Sequence, residues 1–555
     1  MQLKFFYESS VPVCQQHNFK ICTLAALALS GLLIANAGFS KPPPGTPLAQ
    51  EQVLRRGNGS EPGTLDPHKS KGIPASRIQR DLYDGLVLEA ADGSLIPGVA
   101  THWEISEDGL RYTFHLRKSL WSNGDPVTAE DFVVGMRRTV DPATGSDYAT
   151  TLASIRNAPE ITAGKLPSTT LGVKALDDYT LEIELAGPTP YFLGLLTHST
   201  TYPIHRASYE QFGDKFTRPS NLVGNGAYKL TEWVVNSHIK LERNHLYWDD
   251  ENTTINTVFY YPTEDTDSEV LRYRAGEIDF TNYEVPSSAI PTLRESIPDE
   301  LYITPWFGNY YVGMNVTRPP FKDNIKLRKA LTMAIDREIL TDKVLRDGVI
   351  PAYGFVPPGT LNYTSFEYDW KDWPREKRLA EARRLYEEAG YSKDNPLRIE
   401  YRYNTNENHK KIALAVTTMW RKNLGVYSSI INQEWKVFLD VRVSRRVTES
   451  YRDAWIGDYN DPYTFLELGI STNRLNYSGF NNPRYDELLR LSGQEYNVEK
   501  RRKLLQDAEA IMMEEYVAAP IYYYVSKRLI KPYVKGYVNN VLDHHHTKDM
   551  YILQH

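Results

Sequence analysis

The apolar run from Ile21 to Ile34 decides how the rest of this 555-residue chain must hold itself together. Lys20 precedes it, and it ends in Ala35-Asn36-Ala37, an A-x-A cleavage pattern followed by the Pro-rich stretch Lys41 to Gly45. A core of that length matches a cleavable signal peptide over residues 1–37 and is short for a bilayer span. Both cysteines, Cys14 and Cys22, lie inside this segment, and neither has the Leu-small-small context of a lipid-anchored cysteine. The processed chain is therefore expected outside the cytoplasm, not as a lipoprotein, and without disulfide or thiol chemistry. Packing and hydrogen bonding must do all the stabilising.

More than 500 residues remain, which implies several lobes rather than one core. Arg111 to Trp121 alternates, with Tyr112, Phe114 and Leu116 on one side, as in a half-buried strand. Tyr179 to Leu185 does the same, and Leu397 to Tyr403 reads as a further strand. A tight turn at Trp121 to Pro126 leads to Thr128, an N-cap with Asp131 three residues on. Helical spacing joins Leu327, Ala330, Leu331, Ala334, Ile335 and Ile339, then Leu379, Ala382, Tyr386 and Ala389 before Gly390. A third helix is predicted over 501–515. Strands alternating with helices give an α/β class.

The sequence offers little catalytic chemistry. It contains no H-E-x-x-H, G-x-S-x-G or Walker A motif. Gly57 to Gly63 has the wrong spacing for a dinucleotide loop, and Pro62 would disturb the helix start. The run His544 to His546 reads as a surface loop, because consecutive histidines cannot all face one ion. Asp265 to Glu269 lacks the central glycine of a calcium loop and reads as a solvated acidic turn. No catalytic residue, metal site or cofactor is expected. A net charge of −6 and the lack of a long basic run exclude a general nucleic-acid binder. The 38 tyrosines and 10 tryptophans suit a surface that accepts variable ligands.

Many ordered segments carry a resemblance. They include Gly59 to His68, Trp121 to Phe132 (with Asn123 where Asp is frequent), Gly224 to Tyr228, Arg272 to Asp279, and Tyr403 to Lys411. Asn432 to Phe438, Asp458 to Pro462 and Tyr522 to Val525 complete the set. From about residue 50 to the end, the chain resembles the periplasmic oligopeptide-binding proteins of ABC importers, in extracytoplasmic solute-binding family 5. The resemblance implies a periplasmic-binding-protein fold of type II, with two lobes, a hinge and three domains. Domain I would combine 38–83, 208–307 and 524–555; domain II would be 84–207, and domain III 308–523. It implies a non-enzymatic monomer that captures short peptides for a permease and ATPase complex at the inner membrane.

The implied ligand residues follow zwitterion chemistry, since a buried charge needs a partner. Asp458 matches the position that pairs the ligand amine. Arg442, Arg452 and His409 match positions that meet ligand carboxylates. Trp435, Tyr148, Tyr311, Trp306 and Tyr524 match the lining of the peptide path. The backbones of Gly72 and Ile73, and of Ala454, Trp455 and Ile456, would bond an extended ligand as added strands do.

The sequence departs from the pattern at Lys71, where Glu is expected, and at Leu345, where Lys is expected, although Arg346 is adjacent. Trp455 to Asp458 and Asn221 to Gly226 resemble the murein-peptide-binding branch instead. Lys71 and Arg442 would then favour a ligand with an extra carboxylate. Murein tripeptide binding is therefore the alternative. A secreted peptidase or glycosidase, and a sensory binding protein without a transporter, stand further off.

Overall fold

A computed structural model describes residues 41–433, 435–446 and 448–555, with the backbone alone for Trp435 and Lys436. The expected signal peptide and both cysteines lie outside the described residues. Among the described residues, no helix is long and apolar enough to cross a membrane.

Three large sheets organise the chain. In the first, Val53–Gly59 pairs in parallel with Thr257–Pro262, and His238–Arg243 and Tyr228–Val234 follow antiparallel. The second is antiparallel and orders Ala100–Ile105, Arg111–Leu116, Thr180–Glu184 and Val173–Asp177. The period-2 pattern read at Tyr112, Phe114 and Leu116 is the buried face of its Arg111–Leu116 strand. One continuous apolar core, from Leu54 through Phe114 and Leu181 to Tyr260, spans both sheets.

The third sheet is mixed and six-stranded. Its order is Ile350–Pro351, Ala518–Leu529, Leu301–Met314, Ser450–Ile456, Arg398–Asn404 and Tyr427–Gln433. A separate core around Tyr310, Leu331, Tyr401, Trp420 and Ile521 covers it. The antiparallel ribbon of Leu301–Met314 and Ala518–Leu529 runs out of this core at one end. There Leu529 joins a small cluster with Tyr273 and Leu293. The ribbon slips register between Pro305 and Asn309, which pair with Val525 and Tyr523. Four steps on one strand match two on the other, so the ladder is locally broken where the chain leaves the second core.

Local signals explain the helices. Thr128 and Asp131 form the reciprocal cap of Ala129–Val140, with Thr128 N donating to Asp131 at 2.8 Å, worth about 1 kcal/mol. Arg375–Glu388 ends before Gly390, whose φ is +92°. The predicted 501–515 helix runs from Val498 to Glu514. The spacing through Leu327 to Ile339 is not one helix. Ile325–Met333 stops, and Asp336 caps a new turn by accepting from Ile339 N at 3.3 Å. An Asp that bonds backbone amides breaks an apolar period that would otherwise continue.

Two loop readings are overturned. Asp265 to Glu269 is not a solvated turn: Asp265 caps the helix Thr266–Arg274, and Glu269 is buried. Burial raises the Glu269 pKa to about 7. The histidine run is not on the surface either, with His545 8% and His546 3% exposed. His544 bonds Glu89 at 2.6 Å, His545 bonds Asp543 at 3.2 Å, and His546 bonds the Arg80 carbonyl at 3.2 Å. Burial lowers all three histidine pKa values, so the rings are neutral hydrogen-bonding groups. Among the described residues, no cluster of His, Cys, Asp or Glu could hold a metal.

Candidate functional site

The Ser450–Ile456 strand sets the geometry. One edge is fully paired with Leu301–Met314, from Ser450 opposite Met314 to Ile456 opposite Gly308. The other edge pairs with Arg398–Asn404 at Ser450 and Tyr451 alone. Beyond Arg452, from Asp453 to Ile456, that second edge pairs with no strand among the described residues. Unpaired strand edges accept added strands. Ala454, Trp455 and Ile456 lie on this stretch. Trp455 is held from behind: its indole N–H donates to Thr464 Oγ1 at 3.0 Å, and its backbone N–H donates to Asn309 at 3.3 Å.

Immediately beyond this edge comes Gly457, whose N–H donates to the Phe307 carbonyl at 2.8 Å. Any Cβ at Gly457 would collide with the Phe307 ring, so the loop hugs the sheet. The next residue, Asp458, makes no hydrogen bond or ion pair among the described residues. Solvent reaches its side chain, yet protein encloses the space around it, and that burial raises its pKa to about 6. Asp458 lines a cavity of about 170 Å³ shared with Gly72, Ile73, Tyr148, Trp306 and Ile456.

Across the cavity, Gly72 has a φ of +79° and turns the chain into the helix Ile73–Leu82. Tyr148 stands against His198 at 5.4 Å between ring centres. Its pKa is raised by burial and then by the charge of Asp458. Trp306 packs on Tyr283 at 5.0 Å and on Tyr524 at 6.1 Å. Lys71 is exposed and ion-paired with Asp147. The structure therefore brings Gly72, Ile73, Tyr148, Trp306, Ile456 and Asp458 together, with Lys71 beside them.

The cations gather elsewhere. Arg452 immediately precedes the open edge, six residues before Asp458, a distance of roughly 20 Å along extended backbone. Its Nε donates to Asn404 Oδ1 at 2.6 Å. Arg442 is 4% exposed, ion-paired with Asp453, and its guanidinium lies 4.2 Å over the Tyr477 ring. His409 packs against Tyr310 at 5.5 Å, and its buried Nδ1 has no hydrogen bond among the described residues. Burial and then Arg452 lower its pKa to about 3, so it is a neutral ring. Tyr311 is buried against Phe355 at 5.0 Å. The Trp435 side chain lies outside the described residues.

Sequence reasoning missed several wall groups. Ser76, Arg77 and Arg80 face the Asp458 cavity from the helix that starts at Ile73. Their helical spacing from Ile73 was the available signal. His198 and Asp543 complete the wall without any local signal. Glu467 was missed too: burial, then Asp458 and Asp461, raise its pKa to about 7.

Residues 94–477 match the family model for bacterial extracellular solute-binding proteins, family 5 Middle. The chain belongs to this family. It is 43% identical over 537 residues to the periplasmic oligopeptide-binding protein OppA of Escherichia coli (strain K12), covering 96% of this chain and 98% of that one. Its fold is similar to the unliganded open form of the periplasmic murein tripeptide-binding protein MppA. That match has a TM-score of 0.84 and 42% identity, covering 92% of this chain and 99% of the other. It is also similar to Haemophilus influenzae OppA in complex with RPPGFSPFR, at a TM-score of 0.74 and 41% identity, covering 91% and 100%. The α/β, two-lobed binding-protein class expected from the sequence is the class of these family 5 structures.

Proposed function

We propose that the protein is a periplasmic, non-catalytic receptor that closes on short peptides and delivers them to the permease and ATPase of an ABC importer. One observation carries this reading: Asp458, a carboxylate without a partner among the described residues, follows a strand edge, Asp453 to Ile456, that pairs with no described strand on one side. An ammonium is the natural partner of that carboxylate, and a peptide main chain is the natural partner of that edge. The OppA and MppA relatives, peptide-binding by name, support the same ligand class.

The ligand amine pairs with Asp458, its main chain runs along Ala454 to Ile456, and Gly72 and Ile73 close on it from the other lobe. Tyr148, Trp306, Tyr311 and Tyr524 flank its side chains. The carboxylate meets Arg452 and, at other ligand lengths, His409 or Arg442. Domains 38–83 with 208–307 and 524–555, 84–207, and 308–523 move as units. The broken ladder at Pro305 to Asn309 is the hinge, since a few residues there can absorb a backbone rotation. The higher TM-score with an open form than with a peptide complex supports an open cleft here, which accounts for the solvent around Asp458. The protein acts as a monomer after removal of residues 1–37.

Murein tripeptide remains the second reading, on the likeness to MppA and on Lys71. Against it, Lys71 and Arg442 already hold Asp147 and Asp453 as partners. Calorimetric titration with tri-alanine, N-acetyl-tri-alanine and Ala-γ-Glu-diaminopimelate tests both. Tri-alanine should bind and its acetylated form should not; equal binding of those two ends the peptide-amine reading. Equal affinity for tri-alanine and the murein peptide ends the murein preference.

A further inference from the structure

A second cavity, of about 220 Å³, lies behind the Asp458 loop. Tyr459, the next residue, lines this cavity and not the one that holds Asp458. Both lobes build it. Leu193 packs on the core of the first two sheets, and Leu505 and Leu542 belong to the core of the third. Tyr191 closes the seam by stacking on Tyr459 at 4.9 Å and on Tyr463 at 5.0 Å.

Every charge on the wall is already compensated. Asp461 accepts two hydrogen bonds from Arg501, at 2.6 and 2.8 Å. Glu89 bonds His544 at 2.6 Å and faces Arg80 at 3.9 Å. Arg502 is ion-paired with Glu499. A charged ligand would lose its hydration here and find no free counter-charge, which is prohibitive. The contrast with the unpaired Asp458 one residue upstream is direct.

What remains is an aromatic and aliphatic wall with a polar point on it. Tyr459 is 7% exposed, and its hydroxyl makes no hydrogen bond among the described residues. A tyrosine hydroxyl without a protein partner can exchange its water for a ligand group that enters. A dry cavity of roughly 150 Å³ already holds benzene, so this volume suits one or two fused rings. We propose that the seam cavity is a second ligand site, for an uncharged aromatic molecule of phenol or indole size carrying one hydrogen-bonding group. This site goes beyond the peptide reading and does not depend on it.

Indole and p-cresol, titrated by calorimetry and followed by ligand-observed NMR, provide the test. One molecule of probe should bind per chain, and Asp458→Ala should bind it as the wild type does. Leu361 lies at the rim and is 51% exposed, so Leu361→Trp can fill the mouth without disturbing a core. That variant should lose at least tenfold in probe affinity while keeping the wild-type melting temperature. Tyr459→Phe should lose a few-fold. The proposal is overturned by no saturable binding at millimolar probe, by wild-type binding in Leu361→Trp, or by loss of binding in Asp458→Ala.

Discussion

The two ends of the proposed cleft solve the same problem in opposite ways. At one end Asp458 is a carboxylate without a partner, held in a loop with its charge uncompensated. At the other, Arg442 is sealed against Asp453, Arg452 holds Asn404, and His409 is neutral. An unpaired charge is raised in energy until a ligand pairs it, so the acidic end should carry affinity and orientation. A satisfied cation gains little from a ligand carboxylate, because it must share or give up a partner. The basic end should therefore tolerate ligands of different length. In the proposed binding mode, selectivity for a free amine with latitude at the carboxyl end follows from that asymmetry.

The comparison can be broken at several points. The largest effect is expected for Asp453→Ala, which removes the buried ion partner of the Arg442 guanidinium and should cost about 3–5 kcal/mol of stability. Urea denaturation measures it, and a loss below 1 kcal/mol would mean that Arg442 is not committed to Asp453. Asp458→Ala should leave stability intact and weaken tri-alanine binding by about 2–5 kcal/mol. A calorimetric loss under tenfold would place the amine elsewhere.

Acid should act at the same end. The free protein protonates Asp458 near pH 6, and only its ionised form pairs an ammonium. Binding below pH 6 must therefore expel a proton, and affinity should fall by about tenfold per pH unit there. It should level off near pH 7 and fall again above about pH 8, where the ligand's own amine loses its proton. Calorimetry in buffers of different ionisation heat reads the proton release directly, and proton uptake at pH 5 would reverse the assignment.

Smaller effects belong to the basic end. Arg452→Ala should cost about 1 kcal/mol for some peptide lengths and nothing for others. A flat profile over di- to pentapeptides would show that Arg452 is not a carboxylate anchor. Lys71→Ala, which removes one member of an exposed ion pair, should change affinity for acidic peptides by less than about 1 kcal/mol. A larger loss would revive the murein reading.

Much of the fold was legible because its signals are local. Tyr112, Phe114 and Leu116 alternate along a strand with one face inside, and Thr128 with Asp131 announces a helix start within four residues. The helix through Ile339 was misread because an apolar period says nothing about Asp336, whose side chain competes for the backbone amides. The histidine run was misread for a different reason. Its partners, Glu89, Arg80 and Asp543, include residues more than 450 positions away, and a solvated loop and a buried polar network look alike in one dimension.

The sequence by itself determined several of the elements, the lack of disulfides after residue 37, and the chemical identity of the groups a zwitterion would need. Those depend on residue type and on neighbours a few positions apart. Tertiary structure alone decided which charges are spent and which are free. Asp453 and Asp458 are five residues apart and chemically the same, yet one is neutralised by Arg442 and the other by nothing in the described chain. That outcome follows from which elements the sheet brings within 4 Å, and no local pattern encodes it.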